Sequence, residues 1–437
     1  MANLNLDRSL PPQAAALEKV IFPNVRRATL SNGVEVHLLQ FGAQEIVELS
    51  AVFPAGKSFE TAPSVSTFTT KMLHEGTTRL SSLEFARKMD WYGAFVHVES
   101  GYESASIGLT TLAKHLESTV PLWVEMMVDP AMPGDELEKL RERTLQHLDV
   151  EMQNTGFIAR REFNRLMYGT QHPYGAFSDK PDIEAIRLEQ LKAFQRSHFH
   201  PANAIVVAVG RFDEERLLRL LDAQLGQHQV AKPEDRISLM GAEHNWPEIE
   251  NEPGLHYFEK ADSMQATLRV GHRGFARRHP DYYPMQVVNT VLGGYFGSRL
   301  MKNIREDKGY TYGIASAWLC MKFDGTFVIQ TDVGNEYIVS TLEEIKKEIR
   351  LLTDRGVNAA ELDLVRNYML GRSATGRETP NQMLGLIQSA LVNEYPFEEM
   401  DRKFDIVMAM RPEDVQRLAQ QYLHPEKLIE VVCGKMD

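Results

Sequence analysis

Two parts of this 437-residue chain repeat one another at a fixed distance. Arg187-Leu-Glu-Gln-Leu opens a helical pattern that runs to Phe199. It gives way to His200-Pro201 and the apolar run Ile-Val-Val-Ala-Val-Gly at 205–210. Arg411-Pro-Glu-Asp-Val opens a second such pattern to Leu423, followed by His424-Pro425 and Leu-Ile-Glu-Val-Val-Cys-Gly at 428–434. Arg187 and Arg411, Glu189 and Glu413, His200 and His424, and Gly210 and Gly434 each lie 224 residues apart, and Ile205/Ile429 and Val207/Val431 keep the same offset. A repeat of about half the chain is a duplicated domain, not a short solenoid period. The length by itself already exceeds what one ordinary core supports.

The periodicity of apolar residues fills in the two copies. The first half offers strands near Val34–Gln40 and Ile46–Phe53, helices at 64–74 and 81–92, and a hairpin of Phe95–Ser100 with Ser104–Leu109 turning at Gly101. Amphipathic helical patterns then cover 112–128, 135–152 and 157–168. The second half repeats the order: strands at 256–259 and 265–271, a helix from Tyr282, strands at 314–321 and 326–332, and helices at 338–354, 359–373 and 382–392. Elements clustered in this way predict an α+β fold of two homologous domains, each a mainly antiparallel sheet with helices packed on one face. The boundaries expected are 1–228 and 254–437, joined by a polar, Pro-containing linker over 229–253.

Composition excludes several functions. The formal charge is −12 and no basic run is long enough to track a phosphate backbone, so nucleic acid is not an expected partner. No apolar run reaches the length of a membrane span. The first residues lack both the apolar segment of a secretory signal and the Arg-rich character of a transit peptide. Cys320 and Cys433 carry no spacing motif and read as buried thiols in a reducing compartment, which makes the cytoplasm the expected location.

The segment from Ser298 to Gly313, Ser-Arg-Leu-Met-Lys-Asn-Ile-Arg-Glu-Asp-Lys-Gly-Tyr-Thr-Tyr-Gly, follows a Leu292-Gly293-Gly294 turn. Its pattern predicts a short helix that delivers Arg305, a turn at Gly309 and a strand start that delivers Tyr312. A guanidinium and a phenol side by side suit a peptide carbonyl or a chain end. An Arg in a surface ion pair and a Tyr on a half-buried strand fit the same spacing.

Two homologous α+β halves, Met72-Leu73-x-x-Gly76-Thr77, His172-Pro173-Tyr174-Gly175 and the Leu-Gly-Gly…Ser-Arg-Leu…Arg-Glu-x-x-Gly-x-x-Tyr segment together resemble the inverzincin metallopeptidases. The similarity spans essentially the whole chain. It is nearest to the branch of the mitochondrial processing peptidases, the cytochrome bc1 core proteins and their bacterial relatives. The resemblance implies a half-clamshell. It also implies an H-x-x-E-H motif on the first helix, with two zinc-binding histidines and a glutamate base.

At those five positions the chain reads Thr67-Phe68-Thr69-Thr70-Lys71. Both histidines and the glutamate are replaced, and an ammonium opposes a metal. Lys71 itself reads as a solvated or ion-paired helix lysine. The family's third ligand should fall at Gln146–Leu148, where there is no carboxylate; Glu142 and Asp149 are the nearest. Neither His74-Glu75, whose neighbours point about 100° apart on a helix, nor His198/His200 nor His172 restores the geometry. The expectation is that this chain binds no metal and has no catalytic residue of its own.

In the peptidases of the family, an Arg and a Tyr of the C-terminal half contact the substrate. Arg305 and Tyr312 stand at the matching place. Two-chain bacterial members divide these duties between subunits. The resemblance therefore implies a non-catalytic subunit of a heterodimeric zinc peptidase. A homologous H-x-x-E-H partner supplies zinc, Arg305 and Tyr312 contact the peptide substrate, and Gly293 and Gly294 allow close backbone approach. The alternative of the same fold is an inert scaffold or peptide-binding protein, as the bc1 core proteins are. A self-sufficient hydrolase with an unfamiliar site has no motif in its favour.

Overall fold

A computed structural model describes residues 9, 19–229, 236–237, 239 and 246–436; of the expected linker 229–253, residues 230–235, 238 and 240–245 lie outside the described residues. Eleven strands are described: β1 (Arg26–Thr29), β2 (Glu35–Gln40), β3 (Ile46–Phe53), β4 (Phe95–Ser100), β5 (Ala105–Leu112), β6 (Ile205–Gly210), β7 (Gly254–Glu259), β8 (Gln265–Arg273), β9 (Thr311–Cys320), β10 (Gly325–Gly334) and β11 (Ile429–Gly434). They form two sheets of order β1-β2-β6-β3-β5-β4 and β7-β11-β8-β10-β9.

Apart from β1, the two orders are one order. In each, the first and last strands of the repeat pair in parallel, β2 with β6 and β7 with β11, and every other pairing is antiparallel. The α+β class with two mostly antiparallel sheets is as expected.

Alternation along the strands buries both faces of each sheet. Val206 and Ala208 of β6 point into a core made with the first half's own helices, including Phe68, Trp123 and Phe199. Val207 and Val209 point the other way, onto Met383, Leu384 and Ile387 of the helix Pro380–Val392, which belongs to the second half. The reciprocal holds in the second sheet. Val432 packs with the second half's own helices, whereas Val431 and Cys433 meet Ala159, Phe163 and Met167 of the first-half helix Thr155–Tyr168.

Each half thus lays one helix on the far face of the other's sheet. Both exchanged helices begin at a side-chain cap. Asn154 accepts from the Gly156 and Phe157 amides at 2.8 and 3.3 Å, and Thr379 caps Gln382 with Pro380 in the first turn. Phe163 is fully buried in this contact, and burying such a ring contributes about 2–3 kcal/mol. A polar bond supports the reciprocal contact, where Gln388 Nε2 donates to Ser50 Oγ at 2.6 Å.

One reading needs correction. Cys433 is buried, but Cys320 is half-buried because it ends β9, which lies at the edge of its sheet; both thiols are free.

Candidate functional site

The helix Val65–Met72 carries the positions of the missing metal motif. Phe68, Thr69, Thr70 and Met72 are buried, Thr67 is half-buried and Lys71 is exposed. Thr70 Oγ1 donates back to the Ser66 carbonyl at 2.8 Å, four residues earlier, so its hydroxyl is used within the helix. Glu60 lies at the helix start and accepts from the Ser66 and Ser64 amides at 2.9 and 3.3 Å. Burial pushes its carboxyl up to about 7, against those donors and the Lys57 ammonium.

On the helix Gly134–Glu151, Gln146 and His147 are exposed and Leu148 is half-buried. His74 is exposed, and Glu75 accepts from Ser82 Oγ at 3.0 Å. His172 stacks among Tyr168, Tyr174 and Trp246, and its Nδ1 accepts from the Tyr174 amide at 3.1 Å. His198 Nδ1 bonds to the Pro54 carbonyl at 2.7 Å, and His200 Nδ1 accepts from the Ala202 amide at 3.2 Å. Among the described residues no three His, Cys, Asp or Glu side chains converge to hold a metal ion. A threonine spent on its own helix and a neighbouring ammonium do not fit zinc.

The second half holds its candidate residues differently. The helix Tyr282–Asn289 runs on into a π-wound turn, Thr290–Gly294. A Cβ on Gly293 would stand 2.7 Å from the Ser316 amide nitrogen and 2.6 Å from its Oγ. The approach that Gly293 permits is therefore to β9 of the same chain. Asn289 locks the contact: its Nδ2 donates to the Ser316 carbonyl and its own carbonyl accepts from Ser316 Oγ, each at 3.2 Å.

A second π-wound stretch, Met301–Asp307, ends with the Lys308 amide donating to the Asn303 carbonyl at 3.0 Å. Gly309, at φ +68°, makes the left-handed turn into β9. Buried Met301 and Ile304 anchor the stretch, and the wider winding carries Arg305 towards the strand.

Arg305 Nε donates to the Tyr312 carbonyl at 2.9 Å. The guanidinium carbon is 4.6 Å from the centre of the Phe296 ring and 5.8 Å from that of Tyr312. Among the described residues its two terminal nitrogens have no hydrogen-bond partner. Tyr312 is 93% exposed and Phe296 64%. Opposite them, the pairing of β9 with β10 shifts register between Thr331 and Val333, a bulge that re-aims the strand end.

A cavity of about 500 Å³ adjoins this strand end, between β8–β10 and the first-half residues Phe157 and Arg160. Arg269 lines it, lowered to about 10 by burial and then by the charge of Arg160. Arg305 and Tyr312 are thus brought together, and Phe296 joins them. That third member was not anticipated, although an aromatic inside the Gly294-Tyr-Phe-Gly297 loop was its signal.

The cluster presents unspent donors and aromatic faces at the surface. The sequence profile described as the Peptidase M16 inactive domain matches residues 185–369. A crystal structure of a peptidase M16 inactive domain from Pseudomonas fluorescens superimposes with a TM-score of 0.86 at 25% identity, covering 95% of this chain and 99% of that one. Over residues 185–369 the chain is similar to the M16 inactive domain, and its fold as a whole is that of the M16 structure.

The matched profile is the inactive-domain type, and it covers 185–369 alone. An uncharacterized zinc protease YmxG of Bacillus subtilis is 22% identical over 363 residues, which is 82% of this chain and 86% of that protein. A Helicobacter pylori protein described as the non-peptidase homolog YmxG is also 22% identical, over 72% of this chain and 71% of its own length. Among M16 relatives this chain is therefore similar both to proteins described as proteases and to one described as a non-peptidase. No helix among its described residues is long and apolar enough to cross a membrane.

Proposed function

We propose that this chain is the non-catalytic subunit of a heterodimeric zinc metallopeptidase. It closes one side of the peptide chamber and presents Arg305 and Tyr312 to a substrate held in a homologous H-x-x-E-H partner, which carries the zinc. The observation that carries this reading is the Arg305–Phe296–Tyr312 cluster. A π-wound helix, a left-handed glycine and a bulged strand hold it at the surface, with the terminal guanidinium nitrogens and the phenol unspent.

Such donors, fixed before the substrate arrives, stabilise a carbonyl oxygen as it gains charge. Exposed aromatics beside an arginine also have the composition of an interface hot spot. Edge strand β9 runs from this cluster and offers backbone groups for strand addition by an extended peptide. We place the pair in the cytoplasm, on the absence of disulfide spacing in the cysteines.

A second reading, an inert scaffold or peptide-binding protein of the same fold, is favoured by the non-peptidase description of the Helicobacter relative. Affinity isolation of the tagged chain from its native cells separates the two. Recovery of an H-x-x-E-H homologue with chelator-sensitive cleavage of a quenched fluorescent peptide is the expected result. A stable complex without cleavage would establish the scaffold reading instead.

A further inference from the structure

The second half encloses a cavity of about 590 Å³ between β9 and the helices Tyr282–Asn289, Ala359–Thr375, Pro380–Val392 and Glu399–Ala409. Tyr282–Asn289 follows β8 as Val65–Met72 follows β3, and Arg372 on its wall lies 224 residues after Leu148. The cavity is thus bordered by the helix that stands in the second repeat where the motif helix stands in the first.

Its wall carries four cations, Arg277, Arg372, Arg377 and Lys403, and no Asp or Glu among the described residues. In a chain of net charge −12, that is a local inversion. Among the described residues only Arg377 has an ion-pair partner, Asp401 at 3.5 Å, and its donors also go to the Val20 and Met400 carbonyls at 2.7 and 3.0 Å. Arg277 lies against aromatic rings, 3.6 Å from the centre of Tyr282 and 4.3 Å from that of Tyr395, and donates to the Tyr283 hydroxyl at 3.1 Å.

The side chains of Arg372 and Lys403 have neither a hydrogen bond nor an ion pair among the described residues. Burial, and then the charges of Arg377, Arg277 and Arg372, hold the Lys403 ammonium below the usual lysine range. Like charges gathered around a partly desolvated space oppose folding unless an opposite charge offsets them. Nothing in the wall provides that charge.

We propose that this cavity binds a small organic molecule bearing at least two negative oxyanion charges, a phosphate ester or a polycarboxylate. The planar guanidiniums match either group in two-point fashion, and Lys403 adds a point charge. Trp318, Met369 and Leu386 supply apolar wall for a carbon skeleton, and the volume suits a small ligand. This site is separate from the Arg305 cluster and does not depend on a partner subunit.

The test is titration calorimetry and thermal unfolding of the whole purified chain at low ionic strength, with inorganic pyrophosphate and with citrate as probes. The expected result is saturable one-site binding that raises Tm. Lys403→Met and Arg372→Met should each raise Kd by about tenfold or more, while Lys139→Met, at an exposed ion pair with Glu136, leaves Kd unchanged.

Without ligand, Lys403→Met should unfold at the same or a higher temperature than the parent, because it removes an unpaired cation. The preferred probe assigns the oxyanion class. Failure of both probes to saturate, equal weakening by Lys139→Met, or a destabilised Lys403→Met that binds normally would each overturn the proposal. Binding of an acidic peptide where both small anions fail would overturn it in favour of a peptide site.

Discussion

The helix Val65–Met72 and the segment from Gly293 to Gly313 are the two places where the chemistry of an M16 peptidase would be sought, and they have opposite fates. In the first, the side chains have been absorbed by the fold. Phe68 and Met72 are core, and Thr70 bonds to its own helix. In the second, Phe296, Arg305 and Tyr312 stand away from the core, although Leu300, Met301 and Ile304 beneath them are part of it. Tyr312 is 93% exposed, and Arg305 spends only its Nε on the chain. Buried positions serve the core, whereas an exposed cluster held by unusual backbone contributes little to it and is where the proposed function places the substrate contact.

The comparison breaks most directly at Arg305. In the reconstituted pair, Arg305→Ala should lower peptide turnover by about a hundredfold, the scale of losing one oxyanion donor. The unfolding midpoint of the isolated chain should barely change. An unchanged turnover removes Arg305 from the substrate site.

Gly293→Ala tests the scaffold beneath it. The added methyl meets the Ser316 backbone, and urea unfolding should report a loss of about 1–3 kcal/mol. A neutral result would mean that β9 and the turn 290–294 are not locked together.

Glu60 tests the first region. Its carboxyl is raised to about 7 in the folded protein, so the native state disfavours the charged form. The penalty is absent below pH 4.5, grows as pH rises from 4.5 to about 7, and is constant above. Glu60→Gln should flatten that part of the stability–pH curve, a difference of order 1–2 kcal/mol between pH 5 and 8. A parallel curve for the variant would place the titration elsewhere.

The smallest effect is expected at Tyr312. Tyr312→Ala should leave the isolated chain within about 0.5 kcal/mol of the parent, as exposed positions do, and still weaken the pair by co-purification. A large loss in the isolated chain would show that the phenol serves the fold.

Much of the architecture was legible. Ile46–Phe53 and Phe95–Ser100 have the strand bounds that their alternation predicts, and the helix from Tyr282 begins there. Strand β9 begins at Thr311, ahead of the expected Ile314, because Thr311 Oγ1 bonds across to the Asp332 carbonyl at 2.7 Å. The helices Glu214–Leu221 and Glu399–Ala409 went unread; both lie in charged stretches whose apolar faces matter only once a partner surface exists. Of the candidate site, Arg305 and Tyr312 were legible and Phe296 was not, since a 9-residue separation from Arg305 has no periodic meaning in a loop.

What the sequence by itself determined is whatever depends on near neighbours or on duplication. The 224-residue offset, the order of strands and helices, and the absence of His, Glu and His at 67, 70 and 71 are properties of the string. The tertiary structure alone decided the exchange of helices Thr155–Tyr168 and Pro380–Val392, the π-winding that turns Arg305 towards Tyr312, and the gathering of Arg277, Arg372, Arg377 and Lys403 around one cavity. The exchanged helices and the cavity rest on contacts between residues distant along the chain, and the π-wound stretch is anchored in the core through Met301 and Ile304. Their energies enter only when surfaces that are separately incomplete are buried against each other.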